Sequence, residues 1–224
     1  MKILILILFL KYEIFIGDNP TGYLLERGDY ELFFRIQKDG GLISGINAAI
    51  TNYFLMGISY GGMEIIGEKE PTFYPIPGIL LKYLATYETD ISPSISLGIS
   101  TQGFDRYLKE KDRYEIKSKG VFCAISKSIY GNILNGGINY TFERKDEKNG
   151  FDLFFSLDFP FTSNFSLFSD FSFGFNDDYN KNGILNIGVK ISFEDIFFFK
   201  ISIRNLLNKN YINRIFEMGY KGNL

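Results

Sequence analysis

The stretch Ile91–Ser100 alternates without a break, with Ile91, Pro93, Ile95, Leu97 and Ile99 on one face and Ser92, Ser94, Ser96, Gly98 and Ser100 on the other. A period of two sends successive side chains to opposite faces of an extended strand, whereas a helical face repeats about every 3.6 residues. The same alternation runs through Leu134–Glu143, Asp152–Phe159, Ile184–Phe193 and Phe197–Arg204. From Tyr30 onward it predicts twelve strands, at 30–37, 41–50, 53–61, 78–86, 91–101, 118–130, 132–143, 150–159, 164–176, 183–193, 196–204 and 214–221. Most of them are longer than the roughly 5–6 residues usual in globular sheets and match the roughly 9–11 that a tilted strand needs to cross a bilayer.

The connections sort by parity. Odd-numbered ones (62–77, 102–117, 144–149, 177–182 and 205–213) are mostly long and rich in Gly, Asp, Asn and Lys; only Lys38–Gly40 is short. Even-numbered ones are tight: Thr51-Asn52, Tyr87–Asp90, Gly131, Pro160–Ser163 and Glu194-Asp195. An up-and-down barrel places all odd connections at one end and all even ones at the other, and outer-membrane barrels carry long loops outside and short turns on the periplasmic side. The expected fold is therefore all-β, an up-and-down antiparallel transmembrane β-barrel of about 12 strands, with both termini periplasmic.

Composition narrows the chemistry. The chain has 224 residues, enough for one barrel domain, and a formal net charge of −2, which supplies no field for holding nucleic acid. It contains no His, which removes Ser-His and Cys-His pairs and any His metal site. Its single cysteine, Cys123, excludes an internal disulfide and a Cys-cluster zinc site, and its apolar surroundings fit a membrane-facing or core side chain. No enzyme, cofactor or metal is expected. The 24 Phe and 15 Tyr need apolar surroundings. Phe159, Phe165, Phe193 and Phe197 fall at periplasmic strand ends and Tyr140, Phe142, Phe173 and Phe175 at outer ends, two bands that resemble interfacial girdles.

At the N-terminus, Lys2 precedes eight apolar residues, Ile3–Leu10, too few to span a bilayer. The pattern resembles an export signal over residues 1–17, with Gly17 the nearest cleavage candidate and 18–224 the barrel; Lys11 and Glu13 end the apolar run early.

Two strands fix which face meets lipid. Leu185, Ile187, Val189, Ile191 and Phe193 oppose Asn186, Gly188, Lys190 and Ser192, and Phe197, Phe199, Ile201 and Ile203 oppose Phe198, Lys200, Ser202 and Arg204. A Lys or Arg facing lipid at the midplane costs about 2–4 kcal/mol, so the apolar face is the outer one. Asp158, Asp170, Lys190, Lys200, Arg204 and Glu217 then face the lumen as a candidate charge network, either a salt-bridged filling or a charged constriction. Asp158 and Asp170 differ in height, which argues against an acid–base pair. The mixed-charge run 102–117 is expected to be a solvated outer loop.

The segments Gly57-Ile58-Ser59-Tyr60-Gly61-Gly62, Pro77-Gly78-Ile79-Leu80-Leu81-Lys82-Tyr83, Pro93–Ser100 and Ala124-Ile125-Ser126-Lys127 resemble parts of the YjbH-like family of outer-membrane barrels. That resemblance implies a barrel associated with exopolysaccharide production, with envelope or polysaccharide-export proteins as partners, and supplies no catalytic residue. The sequence thus leaves three readings: a narrow pore or export scaffold in the outer membrane with lipid around it, a structural barrel closed by its own side chains, and a soluble secreted β-protein.

Overall fold

The computed structural model describes residues 13–143, 150–175, 177, 180, 182–208 and 212–224. Positions 1–12 of the expected leader, the predicted connection 144–149, and parts of those at 177–182 and 205–213 lie outside the described residues.

A short hairpin, β1 (Phe15–Ile16) and β2 (Asn19–Pro20), comes first. Next are β3 (Asp29–Gln37), β4 (Gly41–Thr51), β5 (Phe54–Met63), the two-residue β6 (Thr72–Phe73), β7 (Gly78–Thr86) and β8 (Ser94–Ser100). A second hairpin, β9 (Phe104–Leu108) and β10 (Arg113–Ile116), follows. The chain continues through β11 (Gly120–Ile129), β12 (Asn132–Tyr140), β13 (Asp152–Pro160), β14 (Phe165–Ser172), β15 (Ile184–Phe193), β16 (Phe197–Arg204) and β17 (Asn213–Asn223).

Twelve of these strands form a closed antiparallel ring. Neighbours in sequence pair around the wall from β3 to β17, skipping β6, β9 and β10, and β17 pairs back onto β3 through Phe216↔Ile36 to Asn223↔Asp29. β6 adds two residues to the edge of β5. The closing pair removes the free edges that an open sheet of this length would expose.

Alternation inside and out is regular. In β8, Ser94, Ser96 and Ser100 are buried toward the bore while Leu97 is half exposed on the outside. In β16, Phe197, Ile201 and Ile203 are exposed and Phe198, Lys200, Ser202 and Arg204 buried. Phe159, Phe165, Phe193 and Phe197 lie exposed at one end of the wall, and Phe142 and Phe175 at the other. Cys123 sits on the outer face of β11, between Ile138 of β12 and Leu97 of β8.

Tight turns lie at the end where β3 begins and β17 finishes, called here the inner end. Between β11 and β12 only Tyr130 and Gly131 intervene, with φ of 50° and 84°, the pair of left-handed conformations that a two-residue hairpin matched to strand twist requires. At the inner end of β8, regular pairing starts at Ser94 rather than Ile91, because Pro93 has no N–H to donate, and Ile91 is left in the turn at 94% exposure.

Two stretches differ from expectation. The run 102–117 is not a solvated loop: it forms β9–β10 and folds over the outer mouth, burying Asp105, Arg113, Tyr114 and Ile116. Residues 13–25, of which 13–17 belong to the expected leader, lie inside the barrel, with Ile14, Ile16, Asn19 and Thr21 almost wholly buried.

Candidate functional site: the filled bore

A bore of twelve strands is wider than its own side chains can fill, since about eight strands already suffice to enclose a packed interior. The wall facing the N-terminal hairpin is correspondingly small and polar. Ser94 Oγ donates to Gly22 O (2.8 Å), Ser96 Oγ to Thr21 O (2.8 Å) and Asn135 Nδ2 to Pro20 O (3.0 Å), while Ser126 Oγ accepts from Gly22 N (2.7 Å). Asn19 Nδ2 donates to Phe155 O (3.0 Å) and Ser156 Oγ (3.1 Å), and its Oδ1 accepts from Ser172 (2.9 Å). A peptide inside a barrel needs partners for its backbone, and short hydroxyl and amide side chains supply them. Close approach is required here. A Cβ on Gly22 would lie 2.4 Å from Ser94 O and 2.8 Å from Ser126 N, both backbone atoms that cannot move aside.

All six lumen residues expected to form a charge network point inward, but they divide between two heights. Lys190 and Lys200 are direct cross-strand partners, a like-charge pair that is unfavourable alone. Glu13 bridges them, with Oε1 2.7 Å from Lys190 Nζ and Oε2 2.9 Å from Lys200 Nζ. Asp158 lies 3.5 Å from Lys190 and Glu217 lies 3.4 Å from Lys200 and 3.6 Å from Arg35. Nearer the outer end, Asp18 at the hairpin tip ion-pairs with Arg35 and with Arg204 (3.0 Å), and accepts from Asn186 (3.0 Å). Asp170 belongs to this upper group, bonded to Asn186 at 2.9 Å, and not to the row of Lys190, whose partner on β14 is Ser166. Ser156 faces Asp170 and Phe168 faces Asp158, so the two carboxylates are offset along the strands.

The outer hairpin completes the upper group. Asp105 Oδ1 is 3.1 Å from Arg204, and the Phe104 ring lies under both guanidiniums, 4.3 Å from that of Arg35 and 4.8 Å from that of Arg204. Arg113, fully buried, holds Asp177 at 2.9 Å. Glu143 accepts from the backbone of Tyr114 (2.8 Å) and Ser118 (2.9 Å); burial raises its pKa above the usual carboxylate range despite those bonds. At the inner end Glu88 accepts from Tyr23 Oη (2.6 Å), Lys127 Nζ (2.9 Å) and Ser128 N (2.8 Å). Burial pushes its pKa up, but these three donors outweigh it and hold the carboxyl below its ordinary value.

Reasoning from sequence missed Glu13, Asp18, Arg35, Lys82 and Asp105. Lys82 is fully buried, and its Nζ donates to Tyr23 O (2.6 Å), Ile14 O (3.1 Å) and Thr21 Oγ1 (3.5 Å). One signal was present: Glu13 interrupts an apolar run just where a carboxylate meets the facing lysines. Among the described residues no cluster of His, Cys, Asp or Glu is arranged to hold a metal ion.

A cavity runs beside the hairpin, lined in part by Glu31, Arg35, Asn47, Ser59, Lys119 and Lys200. A second extends from Asp18 past Lys117 and Lys119 to Asp177 at the outer mouth.

These features define a membrane-type β-barrel of twelve strands with a filled bore. No protein-family model matches the chain and no curated protein matches it. Among solved structures it is similar to the KdgM porin, with a TM-score of 0.54 and 10% identity over 88% of this chain and 99% of that one. It is likewise similar to the KdgM porin in complex with disordered oligogalacturonate, with a TM-score of 0.56 and 9% identity over the same shares. At such identity the likeness is one of fold alone, a closed antiparallel barrel of twelve strands.

Proposed function

We propose that this protein is a non-enzymatic β-barrel of the bacterial outer membrane, with its tight turns in the periplasm, that serves as a closed scaffold rather than an open pore. The observation that carries this reading is the hairpin 13–22, which occupies the bore and satisfies its cations with Glu13 and Asp18. The outward apolar face supports the membrane setting. Leu134, Ile138, Phe155, Leu157, Ile187 and Ile201 are all exposed large side chains, and water does not tolerate a belt of this kind on a monomer. The resemblance to YjbH-like barrels supports a role in envelope or exopolysaccharide export.

The test is reconstitution into planar bilayers. The expected result is a folded, heat-modifiable gel band without steady conductance. Steady ohmic current from the unaltered protein overturns the closed reading, and solubility without detergent overturns the membrane one. Loss of secreted exopolysaccharide from a strain lacking the protein, restored by the intact chain, checks the setting.

A further inference from the structure

Glu13 and Asp18 each occupy a place built for an anion. Glu13 bridges two directly opposed lysines, and Asp18 sits between two arginines that share one aromatic ring. Residues 13–21 carry these two acids and no base, so the hairpin brings two negative charges into the bore and takes both away when it leaves. Lys82 also holds this stretch: among the described residues, its hydrogen-bond partners are the oxygens of Ile14, Thr21 and Tyr23, in the hairpin and just past it. The hairpin is held differently from a wall strand. Its backbone bonds Thr21 N to Ile14 O within itself, and its contacts to the wall run through side chains.

We propose, building on the closed-barrel reading above, that the bore contains two stacked anion sites, Lys190/Lys200 and Arg35/Arg204, which the N-terminal hairpin occupies in cis as a displaceable plug. Withdrawal of the hairpin leaves an anion-selective conduit for small carboxylate or inorganic anions. The two cavities beside the hairpin and the outer hairpin mark the route, and Lys117 and Lys119 line both.

The experiment uses the full-length protein in planar bilayers under a potassium chloride gradient, with two independent variants. Glu13→Gln with Asp18→Asn removes the anchoring charges and leaves the wall untouched. Gly22→Val instead drives a side chain into the backbones of β8 and β11 and leaves every charge in place. Heat-modifiable gel mobility first selects the variants that fold. Either folded variant is expected to open channels absent from the unaltered protein, with chloride permeating severalfold better than potassium. Folded variants that stay silent overturn the plug, and currents without chloride preference overturn the anion sites. Steady current from the unaltered protein is a different failure, that of the closed-barrel reading. If one variant does not fold, the other decides.

Discussion

An arginine placed at different depths on the outer wall distinguishes a lipid-facing surface from a water-facing one. Ile201 and Phe197 lie on the same outward face of β16 and are similarly exposed, at 54% and 50%. Ile201 lies near the middle of the strand, flanked by Val189 and Phe216, and Phe197 at its inner end against Phe193 and Tyr220. Four residues separate them, which at about 3.3 Å rise and roughly 40° tilt is about 10 Å of depth. Taking alanine at each site as the reference cancels the lost apolar contacts, including the Phe197–Tyr220 ring pair at 5.1 Å. Replacing alanine by arginine is then expected to cost about 2–4 kcal/mol at 201 and about 0–1 at 197. A difference of about 2 kcal/mol is roughly thirtyfold in the folding equilibrium. The chain has no Trp to report its own folding, so the assay is urea-dependent refolding into phospholipid vesicles scored by the heat-modifiable gel band. Equal costs at the two depths, or arginine at 201 no worse than alanine, would refute the lipid-facing assignment, since a solvated outer wall makes such a charge harmless.

Three further outcomes follow from the interior and the rim. Lys82→Met keeps the side-chain volume but removes the Lys82 donor from the Tyr23 carbonyl and leaves Ile14 O with the Thr21 N–H alone. The hairpin should loosen by about 1–3 kcal/mol, a roughly five- to 150-fold rise in amide exchange over residues 13–23 with unchanged wall protection; no rise there disproves the tether. Glu88 has a folded pKa below its unfolded value, so its contribution is fully present above the ordinary glutamate range and is lost as pH falls through the lower folded pKa. Acidification should therefore release Tyr23 and raise exchange at the inner end, and Glu88→Gln should flatten that response; a pH profile the same in both proteins contradicts it. Cys123, on the lipid face between Ile138 and Leu97, should react with a water-soluble maleimide far more slowly in vesicles than after unfolding in urea, and similar rates would place it in water.

What could be read from residue order depended on how differently the two faces of a segment are solvated. Where lipid lies outside and a polar bore inside, as in β8, β15 and β16, alternation is strict, because one step of slippage would put Lys190 or Lys200 into hydrocarbon. Twelve strands and the parity of their connections follow from that contrast. The signal weakens where a segment meets only protein. β9–β10 looked like a solvated loop because Asp105 and Arg113 are charged, yet Asp105 pairs with Arg204 and Arg113 with Asp177 in the mouth. Local composition says nothing about partners 64 and 99 positions away. Cross-strand neighbours also depend on register, which is why Asp170 belongs with Asn186 rather than Lys190.

The serine face of β8 shows how the bore and its plug specify each other. Taken alone, Ser94, Ser96 and Ser100 describe the lining of a watery channel, and nothing in the alternation separates that from a surface shaped to receive a peptide. The difference lies in where the hydroxyls are spent: Ser94 and Ser96 donate to consecutive backbone carbonyls, those of Gly22 and Thr21, and Ser126 on the adjacent strand takes the Gly22 N–H. Water could satisfy each group singly, but it would not require a residue without a side chain at position 22, nor two acids at the heights of two cation pairs. Larger wall residues would have left no room for a hairpin, and an uncharged hairpin would have left Lys190 against Lys200. Small polar wall positions beside directly opposed like charges are therefore the mark of a bore that expects an anionic occupant, and in this chain the occupant is the hairpin 13–22.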